Sequence, residues 1–486
     1  MRIMERVKNM IRNWLEIQPA TARGFTIREP ISFETNVIRN RIWYRGDASE
    51  LDQLFKALAE DAVCNARFWA AAPQNETIRK AHSGLPGIMV DTFVALVAAD
   101  LDDIDFDNDD HAKGKWEQIA KENKLPALIS NAVAETLVTG DGAFKLNIDT
   151  AISSTPILEY WGADSVEYVY SHGRVQEIHF ISPVGERGRI LKEIYKPGSI
   201  SYKLMQNDRE LPLDAEECTA DLQPVEFDGD FMLAVPMRFW PSSRWRGRGQ
   251  SIFDRKTDAF DAHDEVISQW MDAVRSGRVQ KYIPENLIPR NQNTGELQMP
   301  NSFGSAFVKI ADSNKENADD KIDVTQPEIR YEAFLASYTA TLNMCLQGIM
   351  SPATLGIDVG KMSSAEAQRE KKDVTGITRN AITCALEDAL PKVAQIALAA
   401  QDILHGNTPG VYNATVTFGE YGAPDFDSRV QTVGNAAGSG VMSVEAQVDE
   451  LWGSSKDDEW KKQEVARIHF ERGIVELPEP DVGNGV

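Results

Sequence analysis

MSPATLGIDVGKMSSAEAQREKK, running from Met350 to Lys372, decides how this chain is read. It joins two long helical patterns. Pro352 stops a helix that precedes it, because proline lacks the backbone N–H and clashes with the turn before it. Gly356 and Gly360 loosen the backbone between Thr354 and Lys361. Ser363 followed three residues later by Glu366 is a capping box, so a new helix is expected from about Ser364. A helix, a flexible loop and a helix make a poor enzyme site and a suitable moving part.

Outward from this stretch, the flanking patterns are long. Ser251 to Ser276 predicts a helix of about 39 Å, with Phe260, Ile267, Trp270, Met271 and Val274 on one side. Asp254, Asp258, Asp261, Glu265 and Asp272 form an acidic row on another. Gly277 ends it. Glu328 to Met350 predicts a second helix of about 35 Å, with Leu335, Tyr338, Leu342, Leu346 and Ile349 as its apolar stripe. Between them, residues 279–330 hold four prolines and an Asn293-Thr294-Gly295 turn. Short strands are expected at Val279–Ile283 and Ala306–Ile310, a small inserted module. Ser364 to His405 predicts a third helix, kinked at Pro391 and closed by Gly406 and Pro409.

Upstream, Arg45-Gly46-Asp47 marks a turn, and Leu51, Leu54, Phe55 and Leu58 set a helical stripe. Residues 84–87 break the chain before a buried helix. The acidic run Asp100–Asp110 reads as a solvated loop; it fails as an EF-hand because Asp110 and Trp116 stand where Gly and Glu are required. Leu125–Leu137 is a helix running into a strand. From Pro156 to Leu233 the period changes to two, with a His172–Gly173 hairpin turn and further strands at Ile190–Tyr195 and Ser199–Met205. The class is therefore α+β. Near the end, Val411–Phe418 reads as a strand and Asp425–Asn435 as a helix. Ser443 and Ser455 open two more helices.

The bulk numbers bound the function. The 486 residues suffice for two to four domains. A net charge of −23 is unusual for a nucleic-acid binder, yet suits a protein that lets DNA pass without sticking. Cys64, Cys218, Cys345 and Cys384 lie far apart and are expected as free thiols. No apolar run is long enough for a bilayer, so no membrane role is expected. Met1–Gln18 is amphipathic and basic, a pattern shared by an interfacial membrane helix and by a helix docked on a partner or on its own domain, of which the docked helix is the preferred reading. Arg238–Arg248, RFWPSSRWRGR, is basic and aromatic; against the global charge it reads as a loop facing an acidic neighbour rather than a grip on single strands. There is no Walker A sequence, no GxSxG and no HExxH, and the seven histidines have no metal spacing. No enzyme activity, cofactor or metal is expected.

SPATLGID, the loop, SSAEAQREKK and TRNAI resemble the tunnel-loop region of portal proteins of tailed bacteriophages, of the siphophage type. RIWYRGDASELDQLFKAL and IRKAHSGLPGIMVDTFVALVAADL resemble that family's wing. GQSIFDRKTDAFDAHDEVISQWMDAVRSGR resembles the stem before the clip, and GVMSVEAQVDELWG with KKQEVARI the crown. The similarity runs in order from Arg41 to Gly473.

The resemblance implies a portal fold: wing at 1–250, first stem helix 251–278, clip 279–330, second stem helix 331–350, tunnel loop 351–363, kinked tunnel helix 364–405, C-terminal wing 406–440, and crown with tail 441–486. It implies a homo-oligomeric ring, typically of twelve, at one capsid vertex of the virion, assembled in the host cytoplasm. Double-stranded DNA would pass through its channel for packaging and ejection. Its partners would be the terminase, a head-completion adaptor, and the major capsid and scaffolding proteins. Thr354, Leu355, Gly356, Ile357, Asp358, Val359, Gly360 and Lys361 would lie at the channel, with Arg369 and Lys371 just beyond. The acidic row would line it. Lys281, Tyr282, Glu285 and Arg290 of the clip would dock partners. Proline in place of Gly356 and Gly360 should impair DNA passage and leave assembly intact. Two other readings stand beside this one: another phage head structural protein, and a cytosolic enzyme without a recognisable motif.

Overall fold

The computed structural model describes residues 31–58, 67–70, 78–101, 104–107, 109–185, 188–207, 209–277, 280–284, 307–310, 323–325, 328–357, 365–419, 426–453 and 456–473. The amphipathic segment Met1–Gln18 and the tail from Glu476 lie outside them. The chain divides into two compact units, Met1–Phe418 and Gly419–Val486.

The first unit opens with α1 (Phe33–Arg45) and α2 (Ala48–Leu58). Ser32 caps α1 by accepting from the Thr35 N–H, and Gly46, in the left-handed region, ends it. The Arg45-Gly46-Asp47 string is thus a turn between helices, and Leu51 and Phe55 of the expected stripe are buried. Next come α3 (Leu85–Ala99), α4 (Asp110–Glu122) and α5 (Leu125–Thr139). Residues 100–110 correct the sequence reading. Asp105–Phe106 form β1, which pairs with β14 (Ala414–Thr415), Asp109 caps α4, and Ile104 and Phe106 are buried. The charges there hid a period too short to recognise.

The α5 helix ends at Gly140, and β2 (Asp141–Asn147) starts at once. Gly140 has φ +105°, and a Cβ there would sit 2.8 Å from the Gly249 carbonyl, so only glycine fits. β2 is the centre of an antiparallel sheet with β3 (Ile157–Gly162) and β10 (Ala234–Arg238). Its first six residues are buried, as a central strand under a helix should be.

A second antiparallel sheet runs β4 (Val166–Ser171), β5 (Arg174–Val184), β6 (Arg189–Lys196), β7 (Ser199–Gln206) and β8 (Arg209–Leu211), with β9 (Val225–Glu226) on β7. His172 and Gly173 both have positive φ, the geometry of the two-residue turn that matches strand twist. The architecture of the unit is α+β. Its core continues into the long helix α8 (Ala365–Leu404), where Leu386, Leu390, Val393, Ala397 and Leu398 are buried against the helices and β10. Pro391 lies inside α8, as its position in the sequence required.

The second unit holds α9 (Phe426–Gly438), α10 (Val444–Trp452) and α11 (Asp458–Glu471). This compact unit begins at Gly419. Ser443 caps α10 as expected. The cap of α11 is Asp457, which accepts from Trp460 N at 2.7 Å, not Ser455. Trp452 meets Trp460 edge-on, and Lys461 reaches Asp449 at 2.9 Å.

Candidate functional site

Two helices with a β module between them form the feature that the sequence singled out. The first, α6, spans Thr257–Ser276 and the second, α7, Tyr331–Leu346. Both are shorter than predicted: about 30 and 24 Å. Residues 251–256 are a turn instead, because their polar groups are used sideways. Ser251 Oγ and Ile252 N donate to the Leu137 carbonyl, which fastens the turn to α5.

The acidic row splits when folded. Asp254 is buried ahead of α6; its carboxylate accepts from Asn36 and Asn40 of α1 at 2.9 and 3.0 Å and from Ser251 N at 3.0 Å. Asp261 is also buried and accepts from Phe68 N and Trp69 N. Burial pushes the Asp261 carboxyl above the usual range, opposed by those two N–H groups. These two residues therefore turn inward and hold the helix to the body, against the expectation of one exposed acidic row.

Asp258, Glu265 and Asp272 remain, spaced seven residues apart and so on one stripe of α6. Asp258 pairs with Arg67 at 2.5 Å, and Glu265 accepts from Gln269. The residue that matters most at the base was missed. Asp264 is 0% exposed; it meets His82 Nδ1 at 2.6 Å and accepts from Ser83 N at 2.9 Å and Trp69 Nε1 at 3.2 Å. Its spacing from Asp261 and Ser268, three and four residues, was the available signal for a polar face turned inward.

The other side of α6 packs on α7. His263 Nδ1 lies 2.9 Å from Thr341 Oγ1 and its ring faces Tyr338; burial lowers its proton affinity. Trp270 stacks on Phe334, with the rings nearly parallel, and meets Tyr338 edge-on. Lys256 donates to the Met344 and Gln347 carbonyls at 2.8 and 2.7 Å, closing the C-terminal end of α7 where carbonyls lack partners. Lys256→Met is expected to lower stability by about 1 kcal/mol, read as a lower urea midpoint at unchanged slope.

Toward the module the pair becomes exposed. Met271 is 48%, Val274 51%, Tyr331 61% and Leu335 51% exposed. Isolated surface apolar residues are ordinary, but four at one end of a helix pair form a face that nothing in the chain's described residues covers. The module itself is a three-stranded sheet, β11 (Gln280–Pro284) central, parallel to β12 (Phe307–Ile310) and antiparallel to β13 (Asp323–Thr325). The two predicted strands are present and β13 is an addition. Lys281 and Tyr282 are in β11; Glu285 and Arg290 lie outside the described residues.

The segment after α7 corrects another expectation. Pro352–Leu355 is a turn of 3-10 helix, not an open loop. Thr354 Oγ1 is 3.0 Å from Thr375 Oγ1 of α8, and Thr375 accepts from Ser351 N at 2.9 Å. Leu355 and Ile357 pack on the core. Gly356 caps the turn with φ +69°. Proline, held near φ −65°, cannot adopt this, so proline at 356 would break the turn rather than stiffen a loop. Asp358, Val359, Gly360 and Lys361 lie outside the described residues. The α8 helix starts at Ala365, within a residue of the capping-box expectation. Thr375→Val should cost about 1–3 kcal/mol and speed hydrogen exchange at Ser351 and Thr354–Ile357.

Arg238–Arg248 does face an acidic neighbour. Arg248 pairs with buried Asp141 at 2.9 Å, donates to the Ala163 and Val166 carbonyls, and lies over the Phe33 ring. Among the described residues no cluster of His, Cys, Asp and Glu is arranged to hold a metal, and no helix is long and apolar enough to cross a membrane. Cys218, Cys345 and Cys384 are free thiols, and burial raises Cys345 to about 12.

No family model matches this chain, and no curated protein does. Among solved structures it is similar to one described as the virion of a native gene transfer agent particle, at 12% identity and TM-score 0.37, covering 94% of this chain and 98% of the other. Two more are described as necks of such particles. The neck of the empty particle, computed with C6 symmetry, gives 13% identity, TM-score 0.38 and coverage of 79% and 90%. The neck of the native particle, computed with C12 symmetry, gives 14%, 0.38, 75% and 89%. Likenesses this weak add no weight to any reading of fold or role.

Proposed function

We propose that this chain is the portal protein of a tailed phage or phage-like particle, of the siphophage type, and has no catalytic activity. The observation that carries the reading is the order of parts: α6, a small β module, α7, a 3-10 turn and the 40-residue α8. In the family that the sequence resembles, these are stem, clip, stem, tunnel loop and tunnel helix.

Copies of the chain close into a ring, through contacts of one face with a different face of the next copy. The exposed apolar end of the helix pair is the part of that contact supplied by the stem. Asp258, Glu265 and Asp272, repeated around the ring, place negative charge along the bore. That charge repels phosphates and keeps contacts with the passing duplex weak. The module between the helices is the docking surface for terminase and then for the head-completion adaptor. Native mass spectrometry of the purified chain tests the assembly: the main species should weigh near twelve times the 54.0 kDa chain. A monomer at every concentration would overturn the reading.

A further inference from the structure

The second unit is built as a single layer. Its middle helix α10 packs on both α9 and α11, which scarcely touch each other. A helix layer buries its apolar side only against a second layer, and packing of that side supplies most of a helix's stability in a protein. Among the described residues of this unit the buried apolar side chains are Val433, Val444 and Val448 alone. Phe470 is 87%, Val441 79% and Val430 41% exposed. Phe470 and Val441 stand at one end of the α10–α11 pair, because His469 of α11 lies 4.0 Å from Glu445 at the start of α10. Val430 is on α9, the other edge of the layer. Charge favours a like partner. The chain carries −23 overall, yet Lys456–Arg472, which holds α11, has five acidic and five basic residues. Identical copies therefore meet across this helix without net repulsion.

We infer that the second unit carries a contact between copies, in which Phe470 and Val441 of one copy pack on α9 of the next, around Val430. A second copy brings the missing layer, and two different edges meeting head to tail are what a closed ring needs. The inference rests on the ring reading and extends it beyond the helix pair α6–α7.

The test is sedimentation velocity of the full-length protein over a range of concentrations. Phe470→Asp and Val430→Lys each fall at an exposed position and should leave the circular dichroism spectrum unchanged. Each should raise the concentration at which copies assemble by at least about tenfold. Phe470→Leu keeps the apolar surface and should assemble as the unaltered chain does. Phe470→Asp combined with Val430→Lys sets an acid opposite a base across the contact and should recover most of the loss. Assembly of Phe470→Asp at the unaltered concentration would overturn the inference and leave the face to a different protein. No recovery in the combined variant would overturn the pairing with α9. Both of these results leave the ring reading standing, whereas an unaltered chain that stays a monomer at every concentration would sink the two together.

Discussion

Asp264→Ala is expected to remove about 3–5 kcal/mol of stability and leave little folded protein at 37 °C. The carboxylate is wholly buried and is the acceptor shared by Trp69 Nε1 and Ser83 N, with His82 Nδ1 on the same oxygen as the tryptophan. Alanine strands all of these groups away from water, and each stranded donor carries its own desolvation cost. The loss spreads because His82 also packs on Trp43 and Trp69, two of the largest buried side chains. Natural domains hold only about 5–15 kcal/mol in reserve. Asp264→Asn keeps the shape and one acceptor oxygen, so it should cost about half as much. Chemical denaturation of the two variants checks this. Equal stability of Asp264→Ala and the unaltered protein would mean that the base of α6 is held by something else.

The second large effect falls on assembly rather than folding. Met271→Glu with Leu335→Glu puts two charges on the exposed end of the helix pair, where neither side chain is needed within the chain. Burying one such apolar side chain contributes about 1.5–3 kcal/mol. Losing two per contact, and forcing two carboxylates out of water, should weaken each contact at least 100-fold. A closed ring repeats the defect at every contact. Sedimentation velocity should therefore show a folded monomer with an unchanged circular dichroism spectrum. Ring formation at the usual concentration would remove this face from the contact.

Much of the fold was legible because periodicity and turn chemistry agreed. The His172–Gly173 hairpin, the Gly46 turn, the start of α8 and two of the module's strands all stand where local rules place them. What failed was the sense of direction. Five acidic residues at helical spacing define a row in a sequence, but spacing does not say whether a row faces solvent or backbone N–H groups. Asp254 and Asp261 turned inward because residues far away in the chain, Asn36, Asn40, Phe68 and Trp69, supply donors for them. Thr354–Ile357 failed similarly: two glycines promised freedom, and a hydroxyl from Thr375 fixed the turn.

Cryo-electron microscopy of the purified, full-length chain tests the portal reading most directly. The account predicts class averages of a closed ring, twelve copies around an open axial hole, with Asp258, Glu265 and Asp272 facing the bore. Single particles without a hole, or a bore lined by arginine and lysine, would contradict it.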